Sequence, residues 1–406
     1  MSRASRIVEL CEWQPAQIRR DVLGEEHARM LMNDFPGVIK VEREVLDDTG
    51  WRLTPLGYVG AIPLGKNLLL RIQPRTPVRN LFRMIERAYM LDFRLFDSLQ
   101  HSRSLQDFFD ALAAGLAERI RLRLKRGLYR LYQQREDALP RLRGRMNMPE
   151  FVRNDWKPEL PCRYEEQTAD NEDNRILLWT LHMILRSRCC SPRVLPGIRK
   201  AWHALARQVS LAHCSSVQCA GRSYNRLNRD YAPMHALCRF FLDSLGPSHA
   251  HGERSVPAFL INMSALFERF VAEWMRAAPE LSALGLRLAY QDRAVLHDAS
   301  RLTFIFDILL KDVGTGETRY VIDTKYKTPE KPANDDVFQV LSYATQQECP
   351  EAVLIYPEHL ARPVATKVGG VRVRSLAFPL EDDEEGDVLE RSGHCLLTEL
   401  FAVQGR

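Results

Sequence analysis

A chain of 406 residues, 45% of them hydrophobic, is long enough for roughly two or three domains and apolar enough to bury a real core, which excludes wholesale disorder. A formal charge of +5 is small for this length and excludes a uniformly basic nucleic-acid-coating protein, so any DNA-binding surface must be local. Nine cysteines, an odd number scattered from Cys11 to Cys395, exclude the dense, even framework of a disulfide-stapled secreted domain and point to reduced thiols. Met1 to Gln17 lacks the apolar core of a signal peptide, and no apolar run reaches the ~18 residues of a membrane span. The expectation is a cytoplasmic protein with no membrane association.

From about Arg6 to Pro77 the chain reads as strands and turns, notably Trp51 to Leu53, Gly57 to Ile62 and Asn67 to Pro74. This predicts a β-rich module over residues 1–78, a candidate surface for partner docking. Within it, Gly60-Ala61-Ile62-Pro63-Leu64-Gly65-Lys66-Asn67 nearly spells a phosphate-binding P-loop. Asn67 stands where the magnesium-binding hydroxyl belongs, however, and the continuation reads as strand, whereas a P-loop needs a helix start to aim its amides at phosphate. Nucleotide hydrolysis by this chain itself is not expected.

After Pro77 the apolar period becomes helical, with Leu81, Ile85, Ala88 and Tyr89, then Leu112, Leu116, Ile120 and Leu128. A mostly helical middle domain is predicted over residues 79–250, interrupted by a loop from Arg141 to Pro161 and resuming with a helix near Asn174 to Arg188. Between Glu118 and Arg145 ten Lys/Arg outnumber three Asp/Glu, and Arg119, Arg123, Arg126 and Arg130 recur at helical spacing beside Tyr129 and Tyr132. Such a stripe suits DNA phosphates, an acidic partner surface, or plain solvation of a helix face. His213, Cys214 and Cys219 lack the second well-spaced pair of a zinc site, and adjacent Cys189 and Cys190 read as packing.

Gly246 to Pro257 reads as the joint before a last domain over residues 251–406. There Asn262 is expected to cap a helix whose apolar face is Met263, Leu266, Phe267, Phe270, Val271 and Trp274. Leu302 to Leu310 and Glu317 to Tyr326 are strand-like, divided by a turn from Asp312 to Gly316. Asn334 is expected to cap a helix running to about Gln347, Ala352 to Tyr356 and Val371 to Phe378 follow as strands, and the acidic run Glu381 to Asp387 reads as a solvated loop. The whole is a multidomain α+β chain whose last domain is α/β with a mixed sheet.

The hairpin of that domain carries the chemistry. The midpoint between Asp307 and Asp323 is Thr315, inside the predicted turn, so antiparallel pairing sets the two carboxylates nearly opposite each other. Alternation puts Asp323 and Lys325 on one face and Ile322 and Thr324 on the other. Two like charges among Ile305, Phe306, Ile308, Val321 and Ile322 cost several kcal/mol unless compensated, and a hard divalent cation held by oxygens, magnesium, does so. Lys325 would then orient water or stabilise phosphate charge, which makes metal-assisted phosphodiester hydrolysis the chemical reading. The bland alternative is a salt-bridged hairpin edge. Gln339 and Tyr343, one turn apart on the following helix, tilt the balance toward a site.

With Asp307 at the first acidic position, Asp323-Thr324-Lys325 as a D-x-K element and Gln339-Val340-Leu341-Ser342-Tyr343 as a Q-x-x-x-Y element, the chain resembles the PD-(D/E)xK nuclease superfamily. One departure is Phe306, where proline often precedes the first aspartate. The resemblance implies a metal held by Asp307, Asp323 and the Thr324 carbonyl, and adds Glu268 on the preceding helix, a residue that periodicity alone would leave as solvated. More narrowly, Pro77 to Ile85, Leu142 to Arg145, Asp173 to Leu177 and Asn262 to Val271 are similar to the McrC family, nuclease subunits of modification-dependent McrBC restriction systems. That resemblance implies an endonuclease that cuts DNA while docked on a separate McrB-like AAA+ GTPase hexamer whose hydrolysis it stimulates. Two other readings stay open: a GTPase-activating adaptor with a silent nuclease fold, and a stand-alone DNA nuclease.

Overall fold

The computed structural model describes residues 6–43, 50–65, 67–91, 104–153, 156–187, 189–245, 258–295, 303–380 and 388–402. The predicted joint, Gly246 to Pro257, and the acidic run, Glu381 to Asp387, lie outside these residues.

The amino-terminal part forms β1 (Arg6–Cys11), β2 (Ala16–Arg19), α1 (Glu25–Asp34), β3 (Ile39–Arg43), β4 (Gly50–Pro55), β5 (Tyr58–Leu64) and β6 (Leu68–Gln73). In β6, Leu68, Leu70 and Ile72 are buried while their neighbours are only partly so, the period of two that a half-buried strand demands. The near-P-loop segment is the β5–β6 hairpin, so no helix amides converge there. The strand reading omits α1. That helix buries just Ala28 and Leu31, too narrow an apolar stripe to announce itself in the sequence.

Two sheets result, ordered β2-β4-β3 and β1-β6-β5-β10. The last strand, β10 (Phe259–Asn262), arrives from far along the chain and pairs antiparallel with β5, placing Phe259 opposite Ala61 and Leu260 opposite Gly60. Gly60 permits this approach. Its φ is +143°, and a Cβ there would lie 2.1 Å from the Phe259 carbonyl oxygen. Gly60→Ala is therefore expected to destabilise the chain by about 2–4 kcal/mol, the sum of backbone strain and overpacking, visible as a lower urea midpoint. An unchanged midpoint would mean that β10 is free to shift away.

The middle region contains α2 (Val78–Ala88), α3 (Leu105–Arg126), β7 (Leu131–Leu139), β8 (Arg145–Met146), α4 (Met148–Arg153), β9 (Leu160–Thr168), α5 (Glu172–Ser187), α6 (Leu195–Ala206) and α7 (Tyr231–Ser244). The Ser104 hydroxyl caps α3 by accepting the Asp107 amide, and Gly127, at φ +91°, ends it. Arg130 and Leu128 thus fall beyond the helix, which breaks the predicted basic stripe. Arg123 is also committed, to Asp230 at 3.1 Å. The helical expectation misses a three-stranded antiparallel sheet, β7-β9-β8, because the polar stretch Leu131 to Leu139 is exposed on both faces and shows no alternation. The predicted loop from Arg141 to Pro161 contains β8 and α4. Asn174 is buried and donates to the carbonyls of Tyr129 (2.9 Å) and Ala169 (2.7 Å) while accepting from the Tyr231 hydroxyl (2.6 Å), which ties α5 and α7 to the base of this arm.

The carboxyl-terminal part comprises α8 (Met263–Ala277), α9 (Pro279–Ala283), β11 (Leu286–Val295), β12 (Thr303–Asp312), β13 (Thr318–Thr324), α10 (Asn334–Gln346), β14 (Glu351–Tyr356), β15 (Ala365–Val368), β16 (Val371–Ala377) and α11 (Val388–Phe401). Asn262 caps α8 as predicted, its side-chain oxygen accepting the Ala265 amide at 3.1 Å. Asn334 does not cap α10; Ala333, with extended backbone, holds that position and Asn334 is the first helical residue. The six strands order as β11-β12-β13-β14-β16-β15, antiparallel through β13 and parallel from β13 to β16, the expected mixed sheet. Helix α10 covers one face through Val340 and Ala344 against Val321 and Leu354. The other face, with Ile308, Ile322 and Ile355, joins the large core that includes Phe267 and Phe270 of α8. Among the described residues no helix is long and apolar enough to cross a membrane.

Candidate active site

In the β12–β13 hairpin Ile308 lies opposite Ile322 and Leu309 opposite Val321; continued one step past its last pair, this register brings Asp307 beside Asp323, whose carboxyl feels its charge. A bulge at Leu310/Lys311 makes the turn asymmetric without disturbing this register. Strict alternation fails on the other strand. Phe306 packs in the α10-side core and Ile308 in the α8-side core, although two residues apart they should share a face. The break falls at Asp307, whose Oδ2 accepts the Thr324 amide (2.9 Å) and the Thr324 hydroxyl (3.2 Å).

Asp323 is 1% exposed, and its Oδ2 stands 2.7 Å from Lys325 Nζ. Lys325 Nζ donates to Gln339 Oε1 (3.0 Å), and Gln339 Nε2 donates to the Tyr343 hydroxyl (2.8 Å). The Tyr343 ring meets Phe306 edge-on, with centroids 5.2 Å apart. A continuous polar chain therefore runs from the sheet to α10, and the predicted residues Asp307, Asp323, Thr324, Lys325, Gln339 and Tyr343 come together. Glu268, half-buried on α8, is reached from another side. Its Oε1 accepts from Gln291 Nε2 of β11 at 3.2 Å.

Neither β11 nor Gln291 features in the sequence reading. The register runs Tyr290 opposite Ile308 and Asp292 opposite Phe306, and skips Gln291 and Asp307, the two residues between. Gln291 holds φ +49°, an uncommon conformation for a non-glycine residue in a strand. Nothing in the residue type signals this, since a lone glutamine in a strand ordinarily faces solvent.

The acids are strained electrostatically. Burial, and then the charge of Asp307, pushes the Asp323 carboxyl up to about 7. Burial followed by Asp307 likewise lifts Glu268 to about 7, and burial raises Asp307 against the opposing pull of the Thr324 amide. Burial would lower Lys325, but Asp323 together with Asp307 and Asp336 outweighs it, and the ammonium is held protonated more firmly than usual. Lys325 thus feels Asp323 first, then Asp307 and Asp336. Asp323 Oδ2 is buried, and the Lys325 ammonium at 2.7 Å is the charge that faces it. A buried carboxylate that one lysine leaves under-compensated, beside a second acid, fits a hard divalent cation with oxygen ligands. Among the described residues no three His, Cys, Asp or Glu side chains cluster as a ligand set by themselves, so an ion here would rely on two carboxylates, with a main-chain oxygen and water completing its shell.

A sequence profile described as the McrBC 5-methylcytosine restriction system component matches residues 53–357, three quarters of the chain and all of this site. The chain belongs to that family. The resemblance to McrC read from the sequence is borne out at this level. Among solved structures, this McrBC-family chain superposes on a chain of the refined half-complex from a tetradecameric assembly of Thermococcus gammatolerans McrB AAA+ hexamers with bound McrC, with TM-score 0.57 and 16% identity over 97% of this chain and 100% of that one. A second match, the Thermococcus gammatolerans McrBC complex, has TM-score 0.44 and 20% identity over 66% of this chain and 87% of that one. Among curated proteins none matches.

Other predicted features carry no comparable geometry. His213 packs against Trp179 with centroids 5.1 Å apart, and Cys214 and Cys219 are buried. All nine cysteines carry free thiols, Cys189 and Cys190 with sulfurs 3.6 Å apart.

Proposed function

We propose that this chain is the magnesium-dependent DNA endonuclease subunit of a McrBC-like, modification-dependent (type IV) restriction system, with a PD-(D/E)xK active site, acting on DNA in the cytoplasm with an AAA+ GTPase hexamer as partner. The observation that carries the reading is the buried Asp323 carboxylate, crowded by Asp307 and ion-paired to Lys325. Asp307, Asp323 and the Thr324 carbonyl would hold the ion, with Glu268 assisting from α8. Bound magnesium supplies a Lewis acid for the phosphodiester and a water of lowered pKa.

The chain's own residues do the rest. Thr324 fixes the Asp307 carboxylate through its amide and hydroxyl. Lys325, protonated and oriented by Gln339, stabilises negative charge developing on the phosphate; its raised proton affinity makes it an electrostatic catalyst and a poor base. Tyr343 keeps Gln339 in place. The region of α4 exposes Met148, Val152 and Trp156, apolar side chains available to a protein partner, which favours a subunit over a stand-alone nuclease.

The test is a reconstituted complex in which Asp307→Ala, Asp323→Ala and Lys325→Ala are each expected to stop magnesium-dependent cleavage while leaving stimulation of the partner's GTP hydrolysis intact. Cleavage by all three variants at the wild-type rate would sink the assignment. Gln291→Ala is expected to raise the magnesium concentration for half-maximal cleavage about tenfold, the usual scale for removing a group that orients a metal-site ligand. An unchanged magnesium titration would make Gln291 a structural residue only.

A further inference from the structure

The carboxyl ends of β13, β14 and β16 meet the amino-terminal sheets at a cavity of about 550 Å³, lined among others by Trp13, Arg75, Pro77, Tyr326, Lys327 and Pro329. None of the candidate catalytic side chains lines it. Its size falls within the roughly 300–1,000 Å³ of pockets that enclose a small organic ligand, and its place, outside the carboxyl ends of parallel strands, is where open α/β sheets take ligands. It lies one residue from the chemistry. Lys325 points toward Gln339 of α10, whereas Tyr326 points to the other face and packs against Phe267, with centroids 5.9 Å apart.

Three features mark it as built. Trp13 is 43% exposed although apolar, and holds φ +60°, a costly conformation for a bulky residue. Its ring rests on Gly57, where a Cβ would stand 3.0 Å away, so the indole is braced from behind. Two cations are fixed at the rim: Arg75 Nη1 donates to Thr328 Oγ1 at 2.8 Å, and Lys327 pairs with Asp336 at 2.6 Å. Beneath them Glu12 is wholly buried; its Oε2 accepts the Arg75 amide and the Tyr326 hydroxyl, both at 3.4 Å. Thr76 closes the seam with a 2.8 Å contact to the same hydroxyl.

A braced aromatic face, proline walls and two positioned cations beside a phosphodiester-cutting site match the chemistry of a nucleotide: a flat ring to stack and a phosphate to pair. We propose that this cavity receives an unstacked nucleotide of the DNA strand being cut, its base against Trp13 and its phosphate against Arg75 and Lys327. The proposal rests on the nuclease reading of Asp307, Asp323 and Lys325.

The experiment reads binding without cleavage: the full-length chain in EDTA, titrated with a fluorescein-labelled oligothymidine while tryptophan emission is followed. Wild type is expected to bind with quenching. Trp13→Ala should weaken binding about fivefold or more, the scale of one base–aromatic stack. Trp13→Phe should keep most of the affinity but lose the quenching. Arg75→Ala should weaken binding and flatten its salt dependence by about one ion. Wild-type affinity in Trp13→Ala, equal quenching in Trp13→Phe, or no binding by the wild-type chain would each overturn the proposal. Quenching of Trp13 by the AAA+ partner and not by oligonucleotide would overturn it too, in favour of a protein-docking pocket. Because Asp323→Asn can fail to cut yet still fill the cavity, cleavage by that variant tests the nuclease reading separately.

Discussion

Asp323→Ala in the reconstituted complex is expected to lower the rate of DNA cleavage by about 10²–10³-fold or more, the cost of removing one preorganised electrostatic group from a reacting centre. Truncation removes the buried carboxylate that pairs with Lys325 and feels the charge of Asp307, so on the proposed reading it takes away a metal donor and releases the lysine together. Lys325→Ala should fall by a similar factor for a different reason: the carboxylates stay and ion binding survives, but the phosphate loses its cation. The two variants then separate in a magnesium titration. Excess magnesium is expected to recover part of the Asp323→Ala loss and none of the Lys325→Ala loss. Full recovery of Lys325→Ala by added metal would show that the lysine only tunes ion affinity, contrary to the role assigned to it.

The hairpin was readable in advance because its information is local. A turn between two apolar runs fixes a register, and a register fixes which side chains stand opposite, so the Asp307–Asp323 pairing needs only counting. Asn262 at the start of α8 and the one-turn spacing of Gln339 and Tyr343 are equally local. Register survived the bulge at Leu310 because the extra residue sits on the turn side, away from the acids.

What escaped depends on distant partners. Strand β10 joins a sheet built almost wholly from the first quarter of the chain, so the predicted boundary beyond residue 250 takes no account of a segment that pairs back to β5. Strand β7 is polar on both faces and carries no burial signal, and Gly127 ends α3 before Arg130 can extend the arginine stripe. The alternation break at Asp307 and the positive φ of Gln291 are tertiary choices that put backbone strain beside the acids. Phe306 sits at that break, where its ring packs edge-on against Tyr343.

The raised Asp323 carboxyl has a consequence for stability that needs no DNA. A folded-state value near 7, against 3.8 in the unfolded chain, means the native protein holds this proton more tightly. Below about pH 4 both states are protonated and nothing is lost; between there and pH 7 the unfolded chain ionises first, so stability falls as pH rises, and above 7 the full cost is present. The shift already includes the attraction of Lys325, so a neutral isostere should gain on balance. Metal-free Asp323→Asn is therefore expected to melt several degrees above wild type at pH 8, a difference on the order of a few kcal/mol, and near wild type at pH 4.5. Magnesium should reverse the order, because an ion that binds only the folded wild-type chain stabilises it by about 2.7 kcal/mol at a hundred times its dissociation constant, while the asparagine offers it no charge. Parallel melting curves across this pH range, or equal magnesium shifts for the two proteins, would mean that Asp323 is a structural acid whose burial is compensated by Lys325 alone.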